Sequence, residues 1–270
     1  MLFTHKYWNE LCVYLVKHSN VVSVDQYLNI PSKKARVVLK HDVEHDIDLA
    51  MILGEIEAKA GISSTFYFQF DVAISSPDKV IRLQQLGHDI GYHYDVLDAN
   101  NGDYLVAIDQ FRAHLEAFSE MGISVKSVCP HGNPIKTRSG WNSNKDFFRS
   151  PMVRQHFPGI VDVVVDRPSI FPSESWYVSD AGYRFQLIGD VSNNDRMAAA
   201  DQIIAMPDDL PLGELTILIS THPHRWMKSG FKFVAKRSIF LISKILAKKL
   251  SQIGFLKPIF NSLYHIARRF

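Results

Sequence analysis

Seven charged or imidazole side chains fall within residues 40–48, directly after the apolar run 37–39. An apolar β-branched run that opens into polar residues predicts a buried strand ending at a site. Alternation along an extended chain puts Asp42 and Glu44 on one side and His45 on the other. Two carboxylates in the same space repel unless a proton or a metal ion intervenes, which indicates metal binding or acid/base catalysis. The alternative is a solvated strand end whose acidic residues cap the next helix.

Polar residues also follow three other predicted strands. His93 and Asp95 follow one strand, His131 follows the next, and His222 follows the last. The carboxyl ends of barrel strands meet on one face, so we expect these side chains to lie near the two carboxylates of residues 40–48. Carboxylate and imidazole ligands suit Zn, Co, Ni, Fe or Mn, and such a metal can activate water near neutral pH.

The remaining pattern alternates strands and helices over about 190 residues. Periodicity and glycine stops predict helices over 5–18, 47–60, 78–86, 103–121 and 195–205, and strands over 37–43, 64–70, 88–94, 125–129, 160–165, 176–178, 184–188 and 216–220. Proline, glycine and asparagine predict a long ordered loop over 130–158. The order favours a parallel α/β sheet or an incomplete barrel.

Composition restricts the class of protein further. The 270 residues are 46% hydrophobic, which is enough for a large core. Cys12 and Cys129 lie far apart without a CxxC pattern, which argues against a disulfide scaffold and a thiolate zinc site. The first twenty residues lack the basic start and apolar stretch of a secretion signal, so we expect a cytoplasmic protein.

The charges are distributed unevenly along the chain. Residues 1–214 contain 28 acidic and 19 basic residues, whereas residues 215–270 contain 11 Lys and Arg and no acid. We therefore expect a domain over 1–228 and a basic amphipathic helical tail over 229–270 that binds an anionic membrane surface. The longest apolar run of the tail, 239–242, is too short to span a bilayer. No recognition motif indicates a nucleic-acid partner.

Four strings in this order resemble the motifs of the polysaccharide deacetylase family of carbohydrate esterases. They are LKHDVE at 39–44, GHDIGYH at 87–93, PHG at 130–132 and LISTH at 218–222. The resemblance spans about residues 37–226. It implies a distorted, incomplete (β/α) barrel and one divalent metal ion, with zinc expected first, that polarises an N-acyl carbonyl and activates water.

The resemblance also implies roles for individual residues. Asp42 matches the general base and Glu44 stands nearest to the first metal ligand, although Val43 occupies the usual ligand position and the two roles could be exchanged. His222 matches the general acid toward the leaving amine. Arg225 and Trp226, which follow His222, could form a substrate wall, since Arg suits phosphate or carboxylate.

The metal ligands depart from the family pattern at one position. His93 matches one of two ligand histidines, but Leu97 stands where the second is expected and cannot bind a metal. Asp95 lies on the same face of the strand as His93, and His131 follows the neighbouring strand, so either could fill the vacancy. A histidine gained in PHG while another is lost favours relocation of the ligand to His131.

These observations together predict a metal-dependent N-deacetylase acting on an amino sugar of a glycan or lipid-linked saccharide, at the inner face of a bacterial membrane. One alternative is a hydrolase of small cyclic amides or ureides. The other is an inactive domain that binds sugar, which loss of the ligand at Leu97 would explain.

Overall fold

The computed structural model describes residues 2–30, 36–133, 136–189, 202–203 and 207–250. Its strands are β1 Val21–Val22, β2 Val37–Val43, β3 Thr65–Phe68, β4 Asp89–Tyr94, β5 Ser127–Pro130, β6 Val161–Asp162, β7 Trp176–Ser179, β8 Gln186–Ile188, β9 Gln202–Ile203 and β10 Ile217–Thr221. Its helices are α1 His5–His18, α2 Val24–Asn29, α3 Ile47–Lys59, α4 Phe70–Ile74, α5 Pro77–Gln85, α6 Val96–Ala99, α7 Tyr104–Glu120, α8 Lys145–Arg149, α9 Pro151–His156, α10 Arg167–Ile170 and α11 Gly230–Leu250.

The strands form one mixed sheet in the order β6-β5-β4-β3-β2-β10-β7-β8-β9, with β1 added beside β2. All pairs from β6 to β7 are parallel, and only the pairs of β8 with β7 and β9 are antiparallel. The sheet curls into a half-barrel surrounded by helices. The predicted distorted, incomplete (β/α) barrel is therefore confirmed.

Strand β2 lies at the centre of this sheet. All seven of its residues are buried, as expected for a parallel strand covered on both faces. Its end pairs with β10, His41 opposite Thr221, and with β3, Val43 opposite Phe68. The carboxyl ends of β2, β4, β5 and β10 consequently meet at one edge, where the polar residues emerge.

Several helices form for the local reasons seen in the sequence. The side chain of Thr4 accepts a hydrogen bond from the backbone N–H of Tyr7 and caps α1, and Asp103 caps α7 in the same way. Gly87 and Gly122 follow α5 and α7 with φ of 94° and 78°, a conformation that favours glycine.

The structure differs from the prediction in several places. The predicted strand 160–165 is shorter, at Val161–Asp162. The stretch 130–158 contains the short helices α8 and α9, so it is not a continuous loop. The predicted strand 64–70 ends at Phe68, and Phe70 begins α4. The predicted helix 195–205 lies outside the described residues except for Gln202–Ile203, which is strand β9.

A buried polar cluster holds the outer face of β2 against the helices. Glu57 of α3 accepts hydrogen bonds from the Trp8 indole N–H at 2.9 Å and the Ser64 hydroxyl at 2.6 Å. Its Oε1 lies 2.9 Å from His41 Nε2. His41 thus points away from the edge where Asp42 emerges, as strand alternation requires.

The tail begins as the predicted helix, α11. Phe233 is fully buried and its ring packs against Phe3 at 5.3 Å, while Phe240 packs on Tyr183 at 5.2 Å. Across the described residues, none of the helices combines the length and hydrophobicity needed to cross a membrane.

We predict that Gly91→Ala destabilises the sheet. A Cβ on Gly91 of β4 would lie 2.4 Å from ring carbons of the buried Tyr67 and 2.9 Å from the Ser127 carbonyl oxygen. Overpacking of this kind costs about 1–3 kcal/mol, measured by urea unfolding. Gly159→Ala is the control, because its Cβ would meet nothing within 4 Å. Equal stability of the two variants would contradict the register of β4 against β3 and β5.

Candidate functional site

Three of the predicted metal ligands lie together at the carboxyl edge of the sheet. One donor atom each from Glu44, His93 and His131 lies within 4.8 Å of the other two. Glu44 Oε1 is 3.5 Å from His131 Nε2 and 3.9 Å from His93 Nε2. Both imidazoles are buried, and only 13% of the Glu44 side chain is exposed. These residues come from the ends of β2, β4 and β5.

Hydrogen bonds orient the His93 imidazole and fix the backbone at His131. His93 Nδ1 lies 3.0 Å from the carbonyl oxygen of Cys129, its register partner on β5, which leaves Nε2 facing Glu44. The backbone N–H of His131 donates to the Tyr94 carbonyl at 2.8 Å, and the His131 carbonyl accepts from Asn144 Nδ2 at 2.8 Å. A carbonyl partner on the second ring nitrogen is typical of metal-binding histidines.

The surroundings of Asp95 and Leu97 show which side chain can replace the ligand expected at position 97. Asp95 is the N-cap residue of α6 and is not part of the group formed by Glu44, His93 and His131. Leu97 is fully buried in the hydrophobic core. The geometry therefore favours His131 over Asp95 beside His93.

Lys40 is a buried cation at the same edge, and the sequence reasoning assigned it no role. Its Nζ lies 2.7 Å from both carboxylate oxygens of Asp42 and 3.3 Å from Cys129 Sγ. The hydroxyl of Ser220 donates to Asp42 Oδ2 at 3.2 Å. The sequence does indicate the contact of Lys40 with Asp42, because residues 40, 42 and 44 lie on one face of an extended strand.

A second group could also hold a cation, formed by Asp42, His93 and Cys129. The ammonium of Lys40 already contacts Asp42 and Cys129, so a metal ion there would meet a like charge. Burial raises the pKa of the Cys129 thiol and opposes the thiolate that a metal would need. The Glu44 group therefore fits a cation better, and its two imidazoles and one carboxylate are a donor set of catalytic zinc sites.

The electrostatics of this edge favour positive charge. Burial opposes ionisation of Asp42, but the charges of Lys40, His93 and His222 outweigh it and hold the pKa of Asp42 below its usual range. Burial also opposes ionisation of Glu44, but hydrogen bonds from His131 and His93 hold the pKa of Glu44 well below normal. Despite burial, the charge of Asp42 raises the pKa of His93 to about 10.

His222 is oriented by Asp180, an aspartate that the sequence reasoning missed. Asp180 Oδ1 lies 2.7 Å from His222 Nδ1, and Asp180 Oδ2 accepts the backbone N–H of His222 at 2.9 Å. Asp180 is fully buried. Burial opposes its ionisation, but the charges of His222 and Arg225 keep the pKa of Asp180 below its usual range. The pairing follows from register, since Ser179 of β7 lies opposite Ser220 of β10.

Arg225 and Trp226 support Asp180. Arg225 Nη1 donates to Asp180 Oδ1 at 2.9 Å, and the Trp226 indole N–H donates to Oδ2 at 3.0 Å. Trp226 has no exposed surface, and its rings pack against Phe3 and Trp8 with centroids 4.7 and 4.5 Å apart. Trp226 therefore cannot form the predicted substrate wall. The Arg225 side chain remains 16% exposed.

His45 departs from the predicted alternation. Donor atoms of Glu44, His45 and His224 lie within 4.8 Å of one another, and the His45 and His224 rings stack with centroids 4.1 Å apart. Strand β2 ends at Val43, and Asp46 has φ of 56°, so the chain turns and His45 joins the side of Glu44. Burial lowers the pKa of His224 well below normal, and the charges of Arg225 and His45 lower it further.

Comparison with known proteins gives matches among solved structures. No family model and no curated protein matches the chain. A peptidoglycan deacetylase from Bacillus subtilis is 15% identical, over 77% of this chain and 84% of that one, with a TM-score of 0.42. A family 4 carbohydrate esterase from Streptomyces lividans is 12% identical, over 75% and 85%, with a TM-score of 0.42.

A family 4 carbohydrate esterase pseudoenzyme from Bacillus anthracis is 15% identical, over 77% of this chain and 60% of that one, with a TM-score of 0.43. These three proteins are carbohydrate deacetylases or esterases or a related pseudoenzyme, the class of protein whose motifs the four strings resemble. At these identities and TM-scores, the matches do not show the function of this chain, which has to be inferred from its own residues.

We predict strong energetic coupling between Lys40 and Asp42. Lys40→Met leaves a buried carboxylate without its cation and should cost about 3–5 kcal/mol of unfolding free energy. The double variant Lys40→Met, Asp42→Asn removes both charges, so its loss should be smaller than the sum of the single losses.

The control is the same double-mutant cycle on Lys79 and Asp48, whose side chains are 44% and 73% exposed. Exposed pairs couple by about 0.2–1 kcal/mol. Chemical denaturation of the metal-free protein measures both cycles, and additive losses at Lys40 and Asp42 would contradict the pairing.

Proposed function

We propose that this chain is a metal-dependent hydrolase that removes an N-acyl group, acetyl first, from an amino sugar. The proposal rests mainly on one observation, namely that Glu44, His93 and His131 converge where the charge of His222, the partner of Asp180, acts on Glu44. A cation-binding group near an oriented imidazole supplies the groups that metal-assisted hydrolysis of an amide uses.

The residues at the edge fit a divalent cation, zinc first, with Co, Ni, Fe or Mn as alternatives. Glu44, His93 and His131 would hold it, and the Cys129 carbonyl would keep His93 in the correct orientation. The chemistry that such a cation supplies when bound is polarisation of a carbonyl oxygen and a lowered pKa of water.

Asp42 is proposed as the group that takes the proton from the attacking water. Its low pKa keeps it ionised at neutral pH. The contacts with Lys40 and Ser220 occupy three of its four lone-pair positions, which leaves one on Oδ1. The role of Lys40 is then to hold Asp42 ionised and in place.

His222 is proposed as the general acid. Because Nδ1 faces Asp180, Nε2 is the atom that carries the proton to the leaving amine. Asp180 orients the His222 ring, and Arg225 and Trp226 fix Asp180 by hydrogen bonds. The two proton-transfer groups, Asp42 and His222, thus stand on neighbouring strands, β2 and β10.

An amino sugar in a glycan or lipid-linked saccharide is the proposed substrate class because the four motifs resemble those of polysaccharide deacetylases. Arg225 is the residue proposed to contact an acidic group of that substrate. The position of His131 beside His93 argues against an inactive sugar-binding domain, since it supplies the imidazole that Leu97 does not.

We predict that the zinc-loaded protein releases acetate from nucleotide-linked or lipid-linked N-acetyl sugars and that chelation abolishes the release. Asp180→Asn should lower kcat by about 10²-fold or more, because general acid catalysis contributes on this order. Asp25→Asn is the matched control, since Asp25 contacts Ser127 at the opposite end of the strands. Absence of acetate from every N-acetyl sugar, or full activity of Asp180→Asn, would contradict the proposal.

Zinc binding should release at least about one proton at pH 8, because, burial notwithstanding, the charge of Asp42 raises the pKa of His93 to about 10 and a ligand nitrogen must be unprotonated. Calorimetric titration in buffers of different ionisation enthalpy measures the release. Asp42→Asn removes the charge that raises the pKa of His93, so this variant should release less. Binding heats that do not depend on the buffer would count against His93 as a ligand.

We also propose that residues 229–270 form a tail that holds the protein on an anionic membrane surface at the cytoplasmic side. On α11, the exposed Phe231 and Ile242 lie opposite the buried Phe233, at about 3.6 residues per turn. The exposed Val234, Ile239 and Leu241 lie on the two flanks of the helix.

The basic residues of α11 support a lipid partner. Lys232 and Arg237 lie on the flanks of the helix, whereas the Lys236 ammonium donates to the His224 carbonyl at 3.3 Å. Basic residues flanking an apolar face are typical of helices in the plane of an anionic bilayer surface.

We predict that Phe231→Glu with Ile242→Glu weakens sedimentation of the full chain with phosphatidylglycerol vesicles by at least about tenfold. Burial of each apolar side chain is worth about 1.5–3 kcal/mol. Leu105→Glu with Val106→Glu is the control, because these residues are 65% and 50% exposed on α7. Equal binding of both double variants would contradict the tail proposal.

A further inference from the structure

We propose that Glu44, His45 and His224 form a second divalent-cation site, which shares Glu44 with the first. One donor atom from each residue lies within 4.8 Å of the others. Two imidazoles and one carboxylate repeat the donor chemistry of the Glu44, His93 and His131 group. The inference deepens the proposed function, on whose first cation site it rests.

His224 provides an independent observation. It is 93% buried, being 7% exposed, and its Nδ1 is buried with no hydrogen-bond partner in the described part of the chain. Buried imidazole nitrogens normally have a partner, because a buried polar atom without one loses its hydrogen bond to water and gains none in return. The acid-base pair does not use this ring, since Asp180 binds His222, Arg225 and Trp226. A cation would satisfy a lone pair on this ring.

The backbone brings the two imidazoles together from different elements. His45 follows β2 directly, and His224 lies in the 3₁₀ turn Pro223–Arg225 that follows β10. Their rings stack with centroids 4.1 Å apart and planes at 28°, and one nitrogen of each ring lies within 4.8 Å of a Glu44 oxygen. The attraction between two stacked neutral imidazoles is too weak to offset the cost of burying their nitrogen atoms.

Glu44 can serve both groups because a carboxylate has two oxygens. The contacts with His131 and His93 both involve Oε1. Two cations that share a carboxylate form the arrangement found in two-metal hydrolases, where the ions stand about 3.5–4 Å apart. The proposed ligand class is therefore a second Zn²⁺, Co²⁺ or Mn²⁺ ion.

The test is zinc stoichiometry of the full chain. Metal-free protein is titrated with Zn²⁺ by calorimetry, and bound zinc is counted by mass spectrometry after desalting. Wild type should bind about two ions, and His224→Phe, which keeps a ring against His45, about one. His45→Phe should lose the same ion. His18→Phe is the control, because His18 is exposed on α1, where its Nδ1 contacts the Tyr14 carbonyl and its ring packs on the Tyr14 ring.

His131→Phe reports on the first site, so the two proposals can fail separately. One ion in wild type that survives His224→Phe but not His131→Phe would overturn the second site and leave the proposed function standing. No bound zinc in wild type would overturn both. Two ions in both wild type and His224→Phe would also overturn the second site. Electron paramagnetic resonance of the Mn²⁺-loaded protein adds a readout, since exchange coupling is expected in wild type and not in His224→Phe.

Discussion

The buried contact between Lys40 and Asp42 determines how the rest of the site works. An ammonium ion with no exposed surface is tolerated only beside an anion, and Lys40 has one at 2.7 Å. Because this pair is satisfied internally, Asp42 does not need an external cation. Glu44, two residues further, has imidazoles rather than an ammonium as neighbours. The two carboxylates thus differ in their neighbours, an ammonium for Asp42 and two imidazoles for Glu44.

Much of the scaffold could be predicted because it follows from local patterns. The central strand is a short apolar run ending in polar residues, and the long helices α1, α3 and α7 have regular apolar spacing and capping residues. Parallel strands bring their carboxyl ends together, so His93, His131 and Glu44 could be placed in one site before their distances were known. The choice of His131 over Asp95 depended on three-dimensional contacts.

The missed residues depend on long-range pairing. Asp180 meets His222 because β7 pairs with β10, and strands so distant in sequence give no local sign that they are neighbours. Trp226 looked like a substrate contact because it follows His222, but packing against Phe3 and Trp8 from the first residues of the chain buries it. His45 lies on the same side as Glu44 because β2 ends at Val43, so strand alternation does not extend to residues 44 and 45.

X-ray absorption of the zinc-loaded protein tests the central claim most directly, namely that Lys40 excludes the cation from Asp42 and Cys129. We predict a zinc environment of nitrogen and oxygen atoms only, at about 2.0–2.2 Å, with the imidazole scattering of His93 and His131. A sulfur atom at about 2.3 Å from zinc would contradict it, because that sulfur would be Cys129 Sγ and the ion would occupy the position that Lys40 holds here.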